Sequence, residues 1–593
     1  MKKQDFSEIE YKQLDMALLK RLLAFLKPYK IYIYYSLLLA ILTSALGPIR
    51  PYLTKIAVDN HIAIGDSKGL IIMIIIILAL TLFNGLSRFG LTYLMQWVGQ
   101  NVLLDLRIKL FSHIQSLSMS FFDKNPVGRL VTRVTNDVEA LNELFSSGVV
   151  MIIADIMLIL WIVGFMFFTN VKLALFTLSI LPFLVIAALV FRLKIRELFR
   201  KIRIKLAEMN SFLSEFISGI ETVKLFTQES RKSREFDTMN NEYKILMFKT
   251  IFWHAVFFPV VEMLSAIALA IVLWYSAANI ISGAMTIGTL IAFTQYAEMF
   301  FRPIRDLTEK YSTLQSSMAS SERIFGLLDI EDSNISFNKK KGTEFPGINN
   351  EIRFENVSFA YSPDKPVLKN ISFEINKGET VAIVGATGSG KTTIINLLCR
   401  FYEYNEGNIS IDGVDIKNYD EKSLRSKFAL VMQDVFLFSR KVDDNISLGR
   451  DNISIEDMKN AAIQLDAYNF IENLPNKFET KLDERGLTLS SGQRQLIAFC
   501  RAYVGKPDLL ILDEATSNID SHTEKIIEVA LEKLLQDRTS LIIAHRLSTI
   551  KRANKIIVLH KGKVCEIGNH KELIELNGIY AKLYSLQLHQ TIV

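Results

Sequence analysis

A chain of 593 residues is too long for one hydrophobic core, and half of its residues are hydrophobic, with a mean hydropathy of +0.24 that is high for a soluble protein. The formal charge of +6 is modest, so where the cations fall matters more than their sum. Three cysteines, Cys399, Cys500 and Cys565, lie in the C-terminal part without metal-like spacing; this excludes a disulfide framework and argues for reduced thiols in a cytosolic compartment.

The first ten residues are polar and charged, with no apolar core of a cleavable signal peptide. Residues 11–28 mix Leu, Met and Phe with Lys and Arg at helical spacing, as expected of an elbow helix lying at a membrane interface. Apolar stretches follow near 31–58, 69–95, 147–168, 172–193, 251–279 and 284–305. The first, second and fourth hold charge-free runs of about 19 residues, enough to cross ~30 Å of hydrocarbon at 1.5 Å per residue; the third is interrupted by Asp155, and 263–297, too long for one crossing, breaks at 279–283 into a fifth and a sixth. Six membrane helices are therefore expected within residues 1–330.

Cation placement orients them. The connections 101–140 and 192–250 are long and basic, whereas those near 168–172 and 278–285 are short and nearly uncharged. Both termini and both long connections are thus expected on the cytoplasmic side. Helical periodicity continues through the long connections, so the membrane helices are expected to run on as cytoplasmic extensions. They should turn at short tips near 121–138 and 213–228. Ionisable residues inside spans are costly and default to functional candidates. Asp155, Glu262 and Glu298, with Gln295 as a polar companion, are the candidates for a substrate cavity; a structural helix–helix pairing explains each of them equally well.

Residues 331–350 form a polar linker rich in Lys, Gly and Pro, and residues 351–593 then alternate strand-like and helix-like stretches, as an α/β domain does. Val381–Val384 is an apolar strand, Gly385-Ala386-Thr387-Gly388-Ser389-Gly390-Lys391-Thr392 a phosphate-binding loop, and the following Thr393-Ile394-Ile395 opens a helix. Glycines let backbone N–H groups surround phosphate oxygens; Lys391 brings a point charge, and Thr392 a hard oxygen suited to Mg²⁺. Downstream, the apolar strand Leu509–Leu512 delivers Asp513 and Glu514. Asp513 is expected to hold Mg²⁺ through water, and Glu514 to orient or deprotonate the attacking water. Between these motifs, Leu489-Ser490-Ser491-Gly492-Gln493 suits a helix start that presents N–H groups and a hydroxyl to an anion.

This set of motifs resembles the ATP-binding-cassette (ABC) superfamily, and their order is similar to the type IV exporters, in which six membrane helices precede a fused ATPase domain with a helical subdomain. The resemblance spans nearly the whole chain. It implies that Tyr361 stacks on adenine and that Gln433 senses Mg²⁺ and the lytic water. It further implies that His545 contacts the γ-phosphate, that Asp520 communicates between sites, and that Ser490, Gly492 and Gln493 grip ATP held by the opposite subunit. Thr480–Gly486 is similar to the exporter segment that meets the membrane-domain tips. The implied activity is ATP-driven export or flipping of amphipathic molecules, drugs or lipids across a bacterial inner membrane, with ATP and Mg²⁺ as cofactors and a second half-transporter as partner.

Two motifs depart from the family pattern: Ser491 replaces a glycine, and Ser517-Asn518-Ile519-Asp520 replaces Ser-Ala-Leu-Asp. If position 491 demands a positive φ, serine costs free energy and weakens the partner's ATP site. A heterodimer with one degenerate site is then expected, with a homodimer as the alternative. An ATP-gated channel and an importer share parts of this pattern. A DNA-managing ATPase does not, because a long coiled coil would have to separate its motifs.

Overall fold

In the computed structural model of the chain, the described residues are 16–330, 342–513, 521–544 and 547–591, less the side chains of 147–149, 301–302, 304–316, 521–522, 548 and 587–591. They fall into two compact units. One comprises the chain through Ile114 together with Gly128–Ile330; the other joins Gln115–Val127 to the chain beyond Glu331. The expected membrane domain, 1–330, thus cedes the start of its first cytoplasmic tip to the ATPase unit.

The first unit is all helix. Met16–Ala24 precedes a single turn, Lys27–Tyr29, and the long helix Lys30–Ala57; residues 11–15 of the expected elbow lie outside the described residues. Arg21 donates to both carboxylate oxygens of Asp329 at 2.6 and 2.7 Å and lies 4.3 Å over the Phe325 ring, fixing the N-terminal helix to the end of the unit's last one. Ser67–Ser116 runs for 50 residues, about 75 Å of helix against ~30 Å of hydrocarbon. Its Ile71, Ile72, Ile75, Leu78 and Leu82 are exposed, an apolar surface that lipid rather than water can solvate.

The span expected at 172–193 is broken in two, Val171–Leu178 and Leu181–Ser218. Pro182 has no N–H to offer Leu178, so the ladder is interrupted there. After Ile220–Leu225, the helix Glu229–Ile281 returns over 53 residues. Gly283 turns the chain at φ +75°, and Ile287–Leu328 follows. Asp59 caps this last helix from outside, accepting from the Thr286 hydroxyl at 2.7 Å and from the Gly288 N–H at 2.9 Å. A Cβ on Gly288 would lie 2.5 Å from the Lys55 carbonyl oxygen, so only glycine fits.

Among the described residues five helical stretches, two of them spanning the interruptions just described, are long and apolar enough to cross a membrane: Lys27–Ile62, Ser67–Ser116, Val150–Thr169, Val171–Ser218 and Glu229–Ile281. The stretch expected as the sixth, 284–305, begins Ile287–Leu328, where Glu298, Arg302 and Arg305 interrupt the apolar run. Tyr296 is fully buried with Ile162, Met166 and Phe293, and its hydroxyl donates to the Pro48 carbonyl at 3.1 Å. It is a packing residue.

The second unit holds two sheets. Strands β1 (Glu351–Ser362), β2 (Lys365–Asn376), β4 (Glu406–Ile411) and β5 (Val414–Asp415) form an antiparallel sheet in the order β2-β1-β4-β5. The other sheet runs β10-β9-β3-β8-β7-β6, from β3 (Thr380–Val384), β6 (Phe428–Val431), β7 (Leu509–Asp513), β8 (Thr539–Ile543), β9 (Lys555–His560) and β10 (Lys563–Gly568). Strands β6, β7, β8, β3 and β9 are parallel. They are almost wholly apolar because both of their faces are covered. One core lies between the sheets and the helix Lys391–Leu398; a second underlies Ile455–Gln464, Tyr468–Glu472 and Ser491–Val504. Asp412 starts the unit in register: its carboxylate accepts from the N–H groups of Asn349, Asn350 and Glu351 at 2.7, 2.7 and 3.0 Å.

Candidate nucleotide site

Because the central strands are parallel, their C-terminal ends reach one edge of the sheet, where such folds bind ligands. The loop 385–390 leaves β3 at this edge, Asp513 ends β7, and Gln433 lies exposed two residues beyond β6. Val381 is level with Leu541, and Asp513 with Ile543, so register alone brings the loop and the carboxylate to the same level.

The loop has to be glycine-rich. Gly388 and Gly390 take φ values of +79° and +104°, and a Cβ on Gly385 would lie 2.3 Å from the Leu559 carbonyl oxygen. Thr387 is exposed at the tip. Lys391, 7 % exposed, folds back to donate to the carbonyls of Gly385 at 2.8 Å and Ala386 at 3.2 Å. Burial holds its ammonium below the usual lysine range, partly offset by the Asp513 charge. A buried cation whose hydrogen-bond partners among the described residues are loop carbonyls is well placed to exchange them for an anion. The Ser389 hydroxyl is buried with no hydrogen-bond partner among the described residues, as expected of a group waiting for an external oxygen. Thr392 donates to the Asp513 carboxylate at 3.4 Å. A hydroxyl and a carboxylate at that separation are a hard-oxygen pair that suits Mg²⁺.

Tyr361, next to last in β1, is 40 % exposed, and its phenol is tethered to the helix behind the loop: it donates to Thr393 at 3.2 Å and accepts from Asn396 at 3.1 Å. The ring is thereby held as a fixed platform. Tyr361 is legible in the motif Phe359-Ala360-Tyr361; the tether, made to a helix more than 30 residues on, is not. Glu514, Asp520 and His545 lie outside the described residues; β7 ends one residue before Glu514 and β8 two before His545.

Ser490 is the N-cap of Ser491–Val504. Its hydroxyl accepts from the Gln493 N–H at 3.2 Å, and the Gln493 side chain accepts from the Ser490 N–H at 3.0 Å. This reciprocal cap is legible in the sequence as S-x-x-Q, a signal the motif analysis passed over. Ser491 is the first helical residue and has no positive φ. The expectation that serine strains the backbone here is therefore corrected. The tight approach falls one position later: a Cβ on Gly492 would lie 2.1 Å from Thr523 Cγ2, so that side chain would have to shift. Nearby, Thr480–Gly486 folds against 437–442, with Leu482 donating to the Arg440 carbonyl at 2.9 Å and Val442 to that of Thr480 at 3.1 Å.

Gln295 and Glu298 share a face of Ile287–Leu328, Asp155 is half-buried on Val149–Thr169, and Glu262 and Glu298 are exposed on the single chain.

A parallel sheet whose β3 loop, β7 carboxylate and capped signature helix are arranged in this way is a P-loop ATPase, here continuous with a unit of long apolar helices. Residues 33–304 match the model of the ABC transporter transmembrane region, and 368–517 that of the ABC transporter ATP-binding region. The chain is 41 % identical to "Uncharacterized ABC transporter ATP-binding protein YknV" of Bacillus subtilis over 98 % of its own length and 96 % of the relative's. It is equally identical to a Staphylococcus aureus protein named "Putative multidrug export ATP-binding/permease protein", over 96 % of this chain and all of that one. A Streptococcus pneumoniae relative, "Putative ABC transporter ATP-binding protein exp8", is 36 % identical over 98 % of the chain. The chain belongs to the ABC transporter family, with membrane and ATP-binding domains fused. It is a multi-pass membrane protein that binds ATP and couples ATP hydrolysis to transport.

Proposed function

We propose that the chain is one half of a dimeric exporter that moves amphipathic small molecules, drugs or lipids out across the cytoplasmic membrane of a bacterium. The observation that carries this reading is the phosphate cradle, with Lys391 buried behind it and the Thr392–Asp513 oxygen pair at its mouth, in one chain with apolar helices. The export names of relatives support the direction of transport.

In this reading Tyr361 stacks on adenine. Loop N–H groups from Gly385 to Thr393 and the Lys391 ammonium bind the phosphates, and the partner's signature helix closes the site from across the dimer. Thr392 and Asp513, with Gln433, would hold Mg²⁺, which would neutralise phosphate charge. Glu514 aligns or deprotonates the water, and His545 steadies the γ-phosphate. ATP stabilises the closed pair because it touches both faces of it; loss of the γ-phosphate removes that differential affinity and the pair reopens.

The helical backbone at Ser491 supports a competent signature and so favours two equivalent sites over one degenerate site. The test is to reconstitute the chain alone in vesicles with Mg-ATP and follow uptake of a labelled amphipathic dye. Uptake against a gradient, with turnover that Ser491→Gly raises by no more than about twofold, is the expected result. Passive, non-concentrative flux would indicate a gated channel. A tenfold gain in Ser491→Gly would restore the degenerate-site reading.

A further inference from the structure

One residue that none of the motifs includes joins the nucleotide platform to the first cytoplasmic tip. Tyr402 follows the helix Lys391–Leu398 and is half-buried. Its ring meets Tyr361 at 4.9 Å between centroids with the planes at 89°, an edge-to-face contact, and Phe359 lies 4.8 Å from Tyr361 in the same arrangement. The Tyr402 hydroxyl donates to the carboxylate of Asp123, on the short helix Met119–Lys124. That helix is anchored by the buried Phe121, whose carbonyl accepts from the Asn125 side chain at 2.7 Å. Burial first, then the hydrogen bond to Asp123 and its charge, hold the Tyr402 phenol above the ordinary tyrosine range, so it stays a donor.

We propose that Tyr402 is a positioning residue that couples adenine binding to the 119–124 helix, its ring edge-to-face with Tyr361 and its hydroxyl on Asp123. This rests on the reading of Tyr361 as the adenine platform. Tyr361 is tethered by its phenol oxygen to Thr393 and Asn396, so a base stacking on it can tilt the ring but not translate it. An edge-to-face partner follows a tilt, because the contact is directional. The Asp123 bond passes the tilt to the tip. The base and the phosphates then send separate messages, the phosphates through the loop and the base through Tyr402.

Inorganic tripolyphosphate supplies the phosphates without the base, and comparing it with ATP isolates the second message. In the full-length transporter carrying Cys565→Ser, which removes the one exposed cysteine among the described residues, an environment-sensitive fluorophore is placed at the exposed Lys124→Cys. Saturating ATP without Mg²⁺ is expected to shift its emission more than saturating tripolyphosphate does. Tyr402→Phe keeps the ring contact but loses the Asp123 bond; it is expected to bring the ATP response down to that of tripolyphosphate, with ATP affinity changed by no more than about twofold. Asp123→Asn, which keeps an acceptor, is expected to fall between. An undiminished ATP response in Tyr402→Phe overturns the proposal, as does equal response to ATP and tripolyphosphate in the parent protein. Tyr361→Ala separates the two ideas: if it binds ATP as tightly as the parent, the platform reading itself has failed.

Discussion

At the scale of single residues, the site rests on groups that have given up their ordinary solvation. Lys391 is the clearest, since its ammonium is buried and, among the described residues, hydrogen-bonded to two loop carbonyls. Lys391→Ala should therefore abolish measurable ATP binding in a fluorescent-nucleotide titration. Glu514→Gln should separate binding from chemistry, retaining ATP affinity while turnover falls by about 10²–10⁴-fold, the usual reach of a general base; phosphate release under saturating Mg-ATP checks it. Gly492 and Ser491 show how far the sequence could be read. The departure at Ser491 is visible in the letters, but its consequence depends on a dihedral angle, and that angle proves helical. The crowding at Gly492 comes from the Thr523 side chain, a contact made across 31 residues of chain that spacing does not disclose. Gly492→Ala should destabilise the ATPase unit by about 1–3 kcal/mol, the cost of overpacking, read as a lowered melting temperature.

At the scale of elements, the motifs bounded by strong local signals were legible before any coordinates. The β3 strand, its glycine loop and the following helix announce themselves, as does the apolar strand that ends in Asp513. What was not legible depends on partners far along the chain. The Asp59 cap on Thr286 and Gly288, the Arg21–Asp329 pair and the Tyr402–Asp123 bond each join elements that no local pattern connects. The break before Leu181 was readable in principle, since Pro182 is printed in the sequence, but continuous apolarity masked it. Asp412 offers a pH test at this scale. Burial disfavours its charge, yet three backbone donors outweigh that and hold its pKa below the usual carboxylate range. A depressed folded-state pKa contributes stability that is complete above the unfolded value, about 3.9, and is lost as pH falls through the folded one. Asp412→Asn keeps a residue tolerant of the local φ of +51°. It should lower the melting temperature at pH 7, and the gap from the parent should close on acidification below about pH 4. Thermal unfolding at several pH values decides it.

At the scale of the whole molecule, the composition foretold two physical regimes, and the structure divides the chain accordingly. The helices expose Ile, Leu and Phe that water would not tolerate, while the sheets bury theirs. Asp59→Ala should lower thermal stability in detergent by removing the outer cap, at a cost of about 1 kcal/mol. A feature as plain as the length of Ser67–Ser116 has a mechanical meaning. Some 45 Å of it is surplus to the hydrocarbon layer. A rod of that overhang, leaning by about five degrees where it leaves the lipid, sweeps its free end through roughly 4 Å. Angstrom-scale motion at one end of a long lever thus needs only a slight lean at the other, where a gap between neighbouring rods opens or shuts.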